Sequence, residues 1–461
     1  MSRQSHSSPQ PVADSEGKSA LADLYPAHLE AIKQRFSQAL DVAGFDAVAV
    51  FAGSPHAWFL DDQNYPFQIN PHFKNWLPLL QAHDSFVAYV PGRKPVLVYC
   101  QPEDYWYLPP APPSGFWVEH FDIRIIKRPE DAPGALPIAR RCAFLGEWQE
   151  RFKSWGFADV NPEALLNPLH YARAAKTDYE LECMREANAI SVIGHRAAEQ
   201  AYRAGASEFE IHTAFCAACG QTDNELPYHA IIALNEHAAT LHYQYRDRER
   251  PPQRHSFLID AAAQVNGYAA DVTRTYSAER DEFQALIDAL DREQQTLCKK
   301  VRPETNFKAL HLEAHLAIAR LLHDFDFVRL PPEESVAKGI SSTFLPHGLG
   351  HLLGLQVHDV GGFMASPRGD VIPKPDGHPD LRNARVLKEH FVTTIEPGLY
   401  FIPSLLEKLR AGAHARHVNW TKVDDFRKYG GIRIEDNVVA RAAGAENLTR
   451  DAFKTMQHAT P

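Results

Sequence analysis

Several segments in the second half of the chain place acidic side chains inside apolar runs. Asp260 ends the apolar run at residues 257–259, and Glu396 and Glu435 each follow an isoleucine within such a run. A carboxylate is costly to bury unless its charge meets a cation or hydrogen-bonding partners. A fold for this chain must therefore either turn these side chains to water or gather them around positive charge.

The first of these segments carries two aspartates. An Asn-Gly turn signal at 266–267 separates an apolar run at 256–260 from a second run at 269–275, which predicts a β-hairpin. Asp271 on the second run would return close enough to Asp260 to share a cation. The alternative is that these aspartates cap turns, because Asp is also a common turn residue.

A glycine-rich segment at 346–359 contains three histidines, His347, His351 and His358. Glycines let the backbone fold tightly enough for imidazoles to converge, and neutral imidazole is a preferred ligand of transition metals. The alternative is a surface loop, although the many leucines around these histidines favour burial.

Glu396 and Glu435, taken singly, fit edge-strand residues that face water, because charged groups are rarely buried unpaired. Taken with Asp260, Asp271 and His351, they form a coherent ligand set for two divalent ions, since carboxylates bridge metals about 3.5 to 4 Å apart around a shared water. Such oxygen-rich coordination favours Mn²⁺, with Co²⁺ and Zn²⁺ as alternatives.

The length of 461 residues predicts two domains, because single cores usually stop growing at roughly 250 to 300 residues. We expect a disordered tail at 1–20, a mixed N-terminal domain at 21–170 and a catalytic domain at 171–461. In the N-terminal domain, apolar residues at helical spacing before Gly44 predict a helix, and the run at 47–51 predicts a strand. The runs at 86–90 and 96–99 around a Pro-Gly turn predict a hairpin or strand pair. A capping box at Thr177 and Glu180 predicts the long helix that opens the second domain. In that domain, helical patterns near 178–203, 208–220, 281–300 and 308–324 alternate with strand-like runs near 229–234, 256–262, 268–276, 392–402 and 431–440. This order predicts an α+β domain built on an antiparallel sheet.

Composition argues against several partners. The net charge of -10 disfavours binding to nucleic acid or to an anionic membrane surface. The start of the chain is rich in Ser, Gln and Pro and lacks the apolar core of a signal peptide, so we expect a cytoplasmic protein. The six cysteines do not resemble a disulfide framework. The Cys-x-x-Cys at 216–219 lacks a second ligand pair, which favours a helix over a zinc or redox site.

The ordered ligand set described above resembles that of the pita-bread metallopeptidases, which include methionine aminopeptidase, aminopeptidase P, creatinase and prolidase. The segments at 228–245, 346–363 and 431–437 look most like the bacterial prolidases, a group that also contains organophosphorus acid anhydrolases. The likeness covers nearly everything after residue 21. It implies a creatinase-like N-terminal domain, a pita-bread catalytic domain and a homodimer.

The resemblance implies a hydrolase that cleaves Xaa-Pro dipeptides and releases proline. One metal would be held by Asp260 and Asp271, and the other by Asp271, His351, Glu396 and Glu435, with Asp271 and Glu435 bridging. A water activated by the metals would attack the carbonyl before proline. Glu396 would carry its proton to the leaving nitrogen, and His358 would stabilise the oxyanion.

A dipeptidase must also recognise a free C-terminal carboxylate. The resemblance directs His242, His347 and Arg433 towards that group as cationic or donor residues, with Tyr228 and Leu381 lining the pocket. Arg433 has the alternative of an ordinary salt bridge, although a pocket arginine suits bidentate carboxylate binding. His242 has the alternative of a core-edge histidine.

Two further positions follow from the resemblance. Asp62 matches a residue that in relatives reaches into the active site of the partner subunit, with a turn-capping carboxylate as the alternative. Phe307 stands where relatives that cleave phosphotriesters carry a tyrosine. The resemblance therefore implies at most a weak organophosphate triesterase side activity.

Two other functions are compatible with the same residues. An aminopeptidase P would cut longer Xaa-Pro peptides with the same metals, and the size of the substrate site distinguishes it from a dipeptidase. A non-catalytic pita-bread module that binds partners would be expected to have lost metal ligands, and all five are present. The sequence therefore favours the two-metal dipeptidase.

Overall fold

The structure, a computed structural model, describes residues 20–138 and 140–459, with side chains up to residue 456. The predicted tail at 1–20 lies outside the described residues, except for Ala20, which begins the first helix. Within the described residues, no helix is both long enough and apolar enough to cross a bilayer.

The N-terminal part is a six-stranded sheet with helices against it. The helices are α1 (Ala20–Ala43), α2 (Pro71–Lys74), α3 (Ala132–Ala135) and α4 (Glu163–Arg173). The strands are β1 (Ala47–Phe51), β2 (Phe86–Tyr89), β3 (Val96–Cys100), β4 (Asp122–Ile126), β5 (Cys142–Leu145) and β6 (Asp159–Val160). Their order is β4-β3-β2-β1-β5-β6. β2 is antiparallel to both neighbours, whereas the other pairs are parallel. The N-terminal part combines helices and strands, as predicted.

The amphipathic pattern at the start of the chain forms α1 as predicted. Leu29, Ile32 and Phe36 recur at helical spacing and are buried. The helix ends before Gly44, whose φ of 71° lies in the left-handed region that glycine adopts without strain. The predicted strand at 47–51 and the predicted antiparallel pair of β2 and β3 are also confirmed.

The C-terminal part combines helices with short antiparallel sheets. Its helices are α5 (Asp178–Arg203), α6 (Glu208–Cys219), α7 (Glu282–Cys298), α8 (Phe307–Asp324), α9 (Pro332–Ala337), α10 (Ile340–Phe344), α11 (Pro403–Arg410), α12 (Trp420–Phe426) and α13 (Leu448–Ala459). Its strands are β7 (Ile231–Leu234), β8 (Ser256–Asp260), β9 (Gln264–Val265), β10 (Tyr268–Ala269), β11 (Thr273–Ser277), β12 (Val392–Ile395), β13 (Gly398–Tyr400), β14 (Gly431–Arg433), β15 (Asp436–Val439) and β16 (Glu446–Asn447).

The strands of this part form the sheets β11-β8-β7, β12-β15-β16, β13-β14 and β10-β9, and every pairing is antiparallel. A backbone bridge between Thr273 and Glu435 joins β11 to the segment before β15. The capping box at Thr177 and Glu180 opens α5 as predicted. Cys216 and Cys219 lie on α6, and no disulfide joins them within the described chain. The predicted α+β class is confirmed.

Three strand predictions were wrong in one respect. The runs at 268–276, 392–402 and 431–440 are each broken in two, and the breaks contain Asp271, Glu396 and Glu435. The ordinary strand pairing stops at these residues. The backbone N–H of Asp271 donates to Asn437 Oδ1 at 3.0 Å, and that of Glu396 donates to the carbonyl of Leu349 at 2.8 Å. These interruptions let the three carboxylates turn towards one another.

One hydrophobic cluster spans both parts of the chain. Leu29 and Trp76 from the N-terminal part pack in the same cluster as Met184, Leu353 and Val392. The two parts therefore share buried surface where they meet. The expected boundary near residue 170 remains a prediction.

Candidate metal centre

The five predicted metal ligands lie around one cavity of about 360 Å³. Four stand at strand ends or breaks, and the fifth, His351, lies in the glycine-rich loop beside β12, where its carbonyl accepts the N–H of Thr394 at 3.0 Å. Ligand atoms of Asp271, His351 and Glu435 all lie within 4.8 Å of one another. His351 Nε2 is 3.3 Å from Asp271 Oδ2 and 3.5 Å from Glu396 Oε1.

Burial and mutual repulsion make the ionised form of the carboxylates in this cavity unfavourable. Burial, followed by the charge of Asp260, raises the pKa of Asp271 well above its usual value. Burial and the charge of Asp271 do the same to the pKa of Glu435, and burial with the charge of Glu435 raises the pKa of Glu396. Divalent cations would relieve both the desolvation and the mutual repulsion. The donor set therefore fits a pair of such ions.

Hydrogen bonds from outside the cavity orient the ligands. His351 Nδ1 donates to the carbonyl of Leu352 at 3.0 Å, which leaves Nε2 facing the carboxylates. The hydroxyl of Thr273 donates to Glu435 Oε2 at 2.7 Å. Such outer contacts fix the tautomer and direction of a metal ligand. The sequence reasoning did not single out Thr273, although it lies only two residues after Asp271.

Arg433 lies beside the centre and contacts one of its carboxylates. Its Nη2 is 2.7 Å from Asp260 Oδ2, and its Nη1 donates to the hydroxyl of Tyr400 at 3.0 Å. Tyr228 donates its hydroxyl to the other oxygen, Asp260 Oδ1, at 2.7 Å. The salt bridge that was the alternative for Arg433 is therefore present. The guanidinium also lines the cavity, where an incoming carboxylate would meet it.

His347 and His358 in the cavity wall are neutral donors and acceptors rather than cations. Burial lowers the pKa of His347 to about 4 and that of His358 to about 3. His347 Nδ1 donates to the carbonyl of Gly348 at 2.8 Å, so its Nε2 accepts the hydroxyl of Tyr400 at 2.8 Å. The ring of His358 lies 4.5 Å from that of His351, and His242 lines the same cavity. Tyr400, which the sequence reasoning missed, thus joins His347 to Arg433.

Three residues predicted to serve the substrate do not line this cavity in the described chain. Tyr228 lines the wider cleft outside it, and the predicted place of Asp62 in the partner's site stays a prediction. Leu381 is buried in a hydrophobic cluster that also contains Phe307, and its neighbours Asp380 and Arg382 line the cavity instead. Asp62 is exposed in the loop before α2 and, within the described chain, is not among the residues that line the cavity. In that loop it is Asp61, rather than Asp62, that accepts the backbone N–H of Gln63.

A wider cleft of about 910 Å³ connects the centre with the N-terminal part. It shares Asp260, Asp271, His242 and His358 with the inner cavity. Its other wall is formed by N-terminal residues that include Asn70, Lys74, Glu147 and His170. The centre is therefore reached from between the two parts of the molecule.

A buried, carboxylate-rich cluster that could hold divalent metal, placed between antiparallel strands at the base of a cleft, is typical of metal-dependent hydrolases. The sequence profile of metallopeptidase family M24 matches residues 182–442. The profile of the Xaa-Pro dipeptidase N-terminal domain matches residues 23–171. The chain belongs to metallopeptidase family M24.

Curated relatives align with almost the whole chain. An Xaa-Pro dipeptidase of Xanthomonas campestris pv. campestris (strain 8004) is 51% identical over 436 residues, which are 94% of this chain and 98% of the relative. An Xaa-Pro dipeptidase of Stenotrophomonas maltophilia (strain K279a) is 50% identical over 432 residues, which are 93% of this chain and 97% of the relative.

Solved structures support the predicted architecture. Aminopeptidase P from Escherichia coli with the inhibitor Pro-Leu superposes with a TM-score of 0.70 at 21% identity, covering 94% of this chain and 95% of that chain. The aminopeptidase PepP of Pseudomonas aeruginosa gives a TM-score of 0.71 at 21% identity with the same coverage. At this identity the likeness concerns the fold alone, and it confirms the expected pita-bread architecture.

Proposed function

We propose that the protein hydrolyses Xaa-Pro dipeptides and releases proline, with two divalent ions held by Asp260, Asp271, His351, Glu396 and Glu435. The observation that carries this proposal is the convergence of these five side chains around one buried cavity. The identity of about half of all aligned residues to Xaa-Pro dipeptidases, over nearly the full length of both chains, supports the choice of substrate.

The ligands divide between the ions as the family resemblance implies. Asp260 would be a ligand of one ion, His351 and Glu396 would be ligands of the other, and Asp271 and Glu435 would be shared by both. When bound, the ions supply Lewis-acid polarisation of the scissile carbonyl and lower the pKa of a water. Four carboxylates against one imidazole favour Mn²⁺, with Co²⁺ and Zn²⁺ as competitors.

Protein groups then handle the protons and the developing charge. Glu396, which lines the cavity, would receive the proton of the attacking water and deliver it to the leaving proline nitrogen, as carboxylates do in general acid–base catalysis. His358, kept neutral by its low pKa, donates an N–H to the oxyanion of the tetrahedral intermediate.

The free carboxylate of a dipeptide is recognised by Arg433 with help from His242, whereas both ring nitrogens of His347 are engaged and this histidine acts on Arg433 through Tyr400. Arg433 offers guanidinium N–H groups beside the metal centre, and Tyr400 holds this arginine and His347 in a fixed relation. A carboxylate bound there would be paired bidentately in a water-poor site. The inner cavity of about 360 Å³ has the volume of a site for a small ligand.

The test compares Gly-Pro with Gly-Pro-amide and with a longer Gly-Pro peptide. We expect Gly-Pro to be cleaved with the highest kcat/KM, because only its carboxylate is placed to reach Arg433. Arg433→Lys should lower kcat/KM for Gly-Pro more than for the amide, whereas the control Arg292→Lys, at an exposed position of α7, should change neither. Efficient cleavage of the longer peptide alone would identify an aminopeptidase P. No cleavage of any substrate by the folded, metal-loaded protein would identify a binding module.

We also propose that the protein is a cytoplasmic homodimer in which Asp62 completes the partner's site. Phe59 and Leu60, just before it, are 87% and 90% exposed, and exposed apolar pairs of this kind often mark protein contacts. Equal amounts of Asp62→Ala and Asp271→Asn proteins, dissociated and reassembled together, should regain activity, because each mixed dimer keeps one intact site. No recovery despite reassembly would place Asp62 outside the site.

A further inference from the structure

A second cluster of metal-ligating side chains lies apart from the carboxylate centre. His311 and His315 are four residues apart on α8 and so share one face of the helix, and His378 comes from the loop before Asp380. One nitrogen from each lies within 4.8 Å of the others. His311 Nε2 is 2.9 Å from His378 Nδ1, and the three ring centroids are 4.5 to 4.7 Å apart.

The hydrogen bonds in this cluster leave one nitrogen unexplained. His315 Nδ1 is 3.2 Å from the hydroxyl of Ser341. Its Nε2 is buried and has no partner among the described residues. A hydrogen bond between His311 and His378 would account for those two rings only, and an unsatisfied buried polar atom costs about 1 to 3 kcal/mol. A ligand bound at Nε2 of His315 would remove that cost.

The cluster is also in the right protonation state for metal binding. His311 and His315 are each 1% exposed, and burial, followed by neighbouring histidines, lowers their pKa values to about 2 and about 3. Both rings are therefore neutral at pH 7, and protons do not compete with a metal for their nitrogens. His378 is only partly buried, so an ion has a way in and a position left for water.

We propose that His311, His315 and His378 bind a third metal ion of the zinc type. Three imidazoles form a recognised ligand set for Zn²⁺, and the absence of a carboxylate from this set selects against Mn²⁺ and Mg²⁺. The site is separate from the proposed dinuclear centre and does not depend on its activity.

Loading the site has a structural consequence that can be measured. The backbone N–H of Leu349 donates to His311 Nδ1 at 3.3 Å, and the carbonyl of Leu349 accepts the N–H of Glu396 at 2.8 Å. An ion on Nε2 of His311 requires a proton on Nδ1, so the first of these bonds is lost on binding. The amide of Leu349 should therefore exchange its hydrogen faster in the zinc-loaded protein.

The test measures bound Zn²⁺ per chain by equilibrium dialysis of the full-length, chelator-treated protein. His315→Gln is compared with the wild type and with His323→Gln, a histidine exposed on the same helix. We expect His315→Gln to bind one ion fewer than the other two proteins. The expected difference of one bound Zn²⁺ per chain does not require metal in the carboxylate centre. The experiment can therefore contradict the zinc site without contradicting the proposed dipeptidase, and the reverse.

Equal zinc content in all three proteins would overturn the proposal, as would an equal loss in His323→Gln. Folding of His315→Gln is checked by its thermal unfolding without metal, and His378→Gln at the cluster's partly exposed edge provides a second variant with the same expected loss of one ion. A slower or unchanged exchange of the Leu349 amide on zinc loading would also contradict the geometry.

Discussion

The carboxylate centre and the histidine cluster of α8 are both buried groups of ligating side chains, but their electrostatics are opposite. Burial raises the pKa values of Asp271, Glu396 and Glu435 and lowers those of His311 and His315. Charged carboxylates in the first site repel one another unless cations are present. In the second site, the neutral imidazoles do not repel one another without an ion, and only Nε2 of His315 is then buried without a hydrogen-bonding partner among the described residues. The first site should therefore require metal, whereas the second should only accept it.

The largest effect is expected for Asp271→Asn. Removing a bridging ligand should lower kcat/KM for Gly-Pro by more than the roughly 10- to 100-fold typical of residues around a metal's ligands. Without metal the same change should raise the thermal unfolding temperature at pH 7, because a carboxyl with a raised pKa destabilises the folded state when it is ionised. The control Asp425→Asn, at an exposed position of α12, should do neither. A metal-free variant less stable than the wild type would contradict the proposed repulsion.

Arg433→Lys should have the next largest effect, about 10- to 100-fold on kcat/KM for Gly-Pro and mostly through KM. Lysine keeps the charge beside Asp260 but cannot reproduce two parallel N–H donors while also reaching Tyr400. Steady-state kinetics on Gly-Pro and Gly-Pro-amide measure this. A purely structural role would instead lower kcat for both substrates equally.

The folding stability of the protein should depend on pH through His195, which contacts the backbone beside the carboxylate centre. This buried ring donates Nε2–H to the carbonyl of Ala261, next to Asp260, and burial lowers its pKa to about 4. Above pH 6.5, about the pKa of a histidine in the unfolded chain, His195 is neutral in both states and does not change the free energy of unfolding. As the pH falls from about 6.5 towards 4, only the unfolded state gains the proton, so the folded state loses stability. At 1.36 kcal/mol per pH unit, the loss in the free energy of unfolding is at most about 2 kcal/mol at pH 5.

The measurement is denaturant unfolding of metal-free protein at pH 7 and pH 5. The wild type should lose up to about 2 kcal/mol more than His195→Gln over this interval, since other titrating groups cancel in the comparison. Equal losses in the two proteins would show that His195 is protonated in the folded state.

The smallest effect is expected for His315→Gln on catalysis. With Mn²⁺ in the carboxylate centre, kcat/KM for Gly-Pro should change by less than about twofold, because the histidine cluster favours ions of the zinc type. A large loss of kcat/KM in His315→Gln with Mn²⁺ would show that activity requires the histidine cluster, contrary to our expectation.

The sequence predicted the parts of the fold that depend on local patterns. The helices α1 and α5 follow from apolar spacing and a capping box, and β2 and β3 from apolar runs around a turn. The sequence could not predict that three strands break, since the breaks depend on partners such as Asn437 and Leu349 that are distant along the chain. Local propensity does not encode such long-range hydrogen bonds.

The candidate site shows the same limit. The four carboxylates of the proposed ligand set could be singled out because each interrupts an apolar run, and burying such a charge needs a reason. His351 could be singled out because glycines around it let neighbouring histidines converge. Tyr400 was not, because a tyrosine in a strand is ordinary until His347 and Arg433 are seen to share its hydroxyl. The histidine cluster was visible in part as a four-residue spacing on α8, but nothing local indicates that His378 joins it.

The most direct test of the two-metal dipeptidase is proline release from Gly-Pro by chelator-treated protein as Mn²⁺ is added back, with bound metal measured in parallel. We predict no turnover without metal and an activity that reaches its maximum at two bound Mn²⁺ per chain. Asp271→Asn should neither bind two Mn²⁺ nor reach the activity of the wild type. Full turnover by metal-free protein, or by Asp271→Asn with its metals bound, would contradict this prediction.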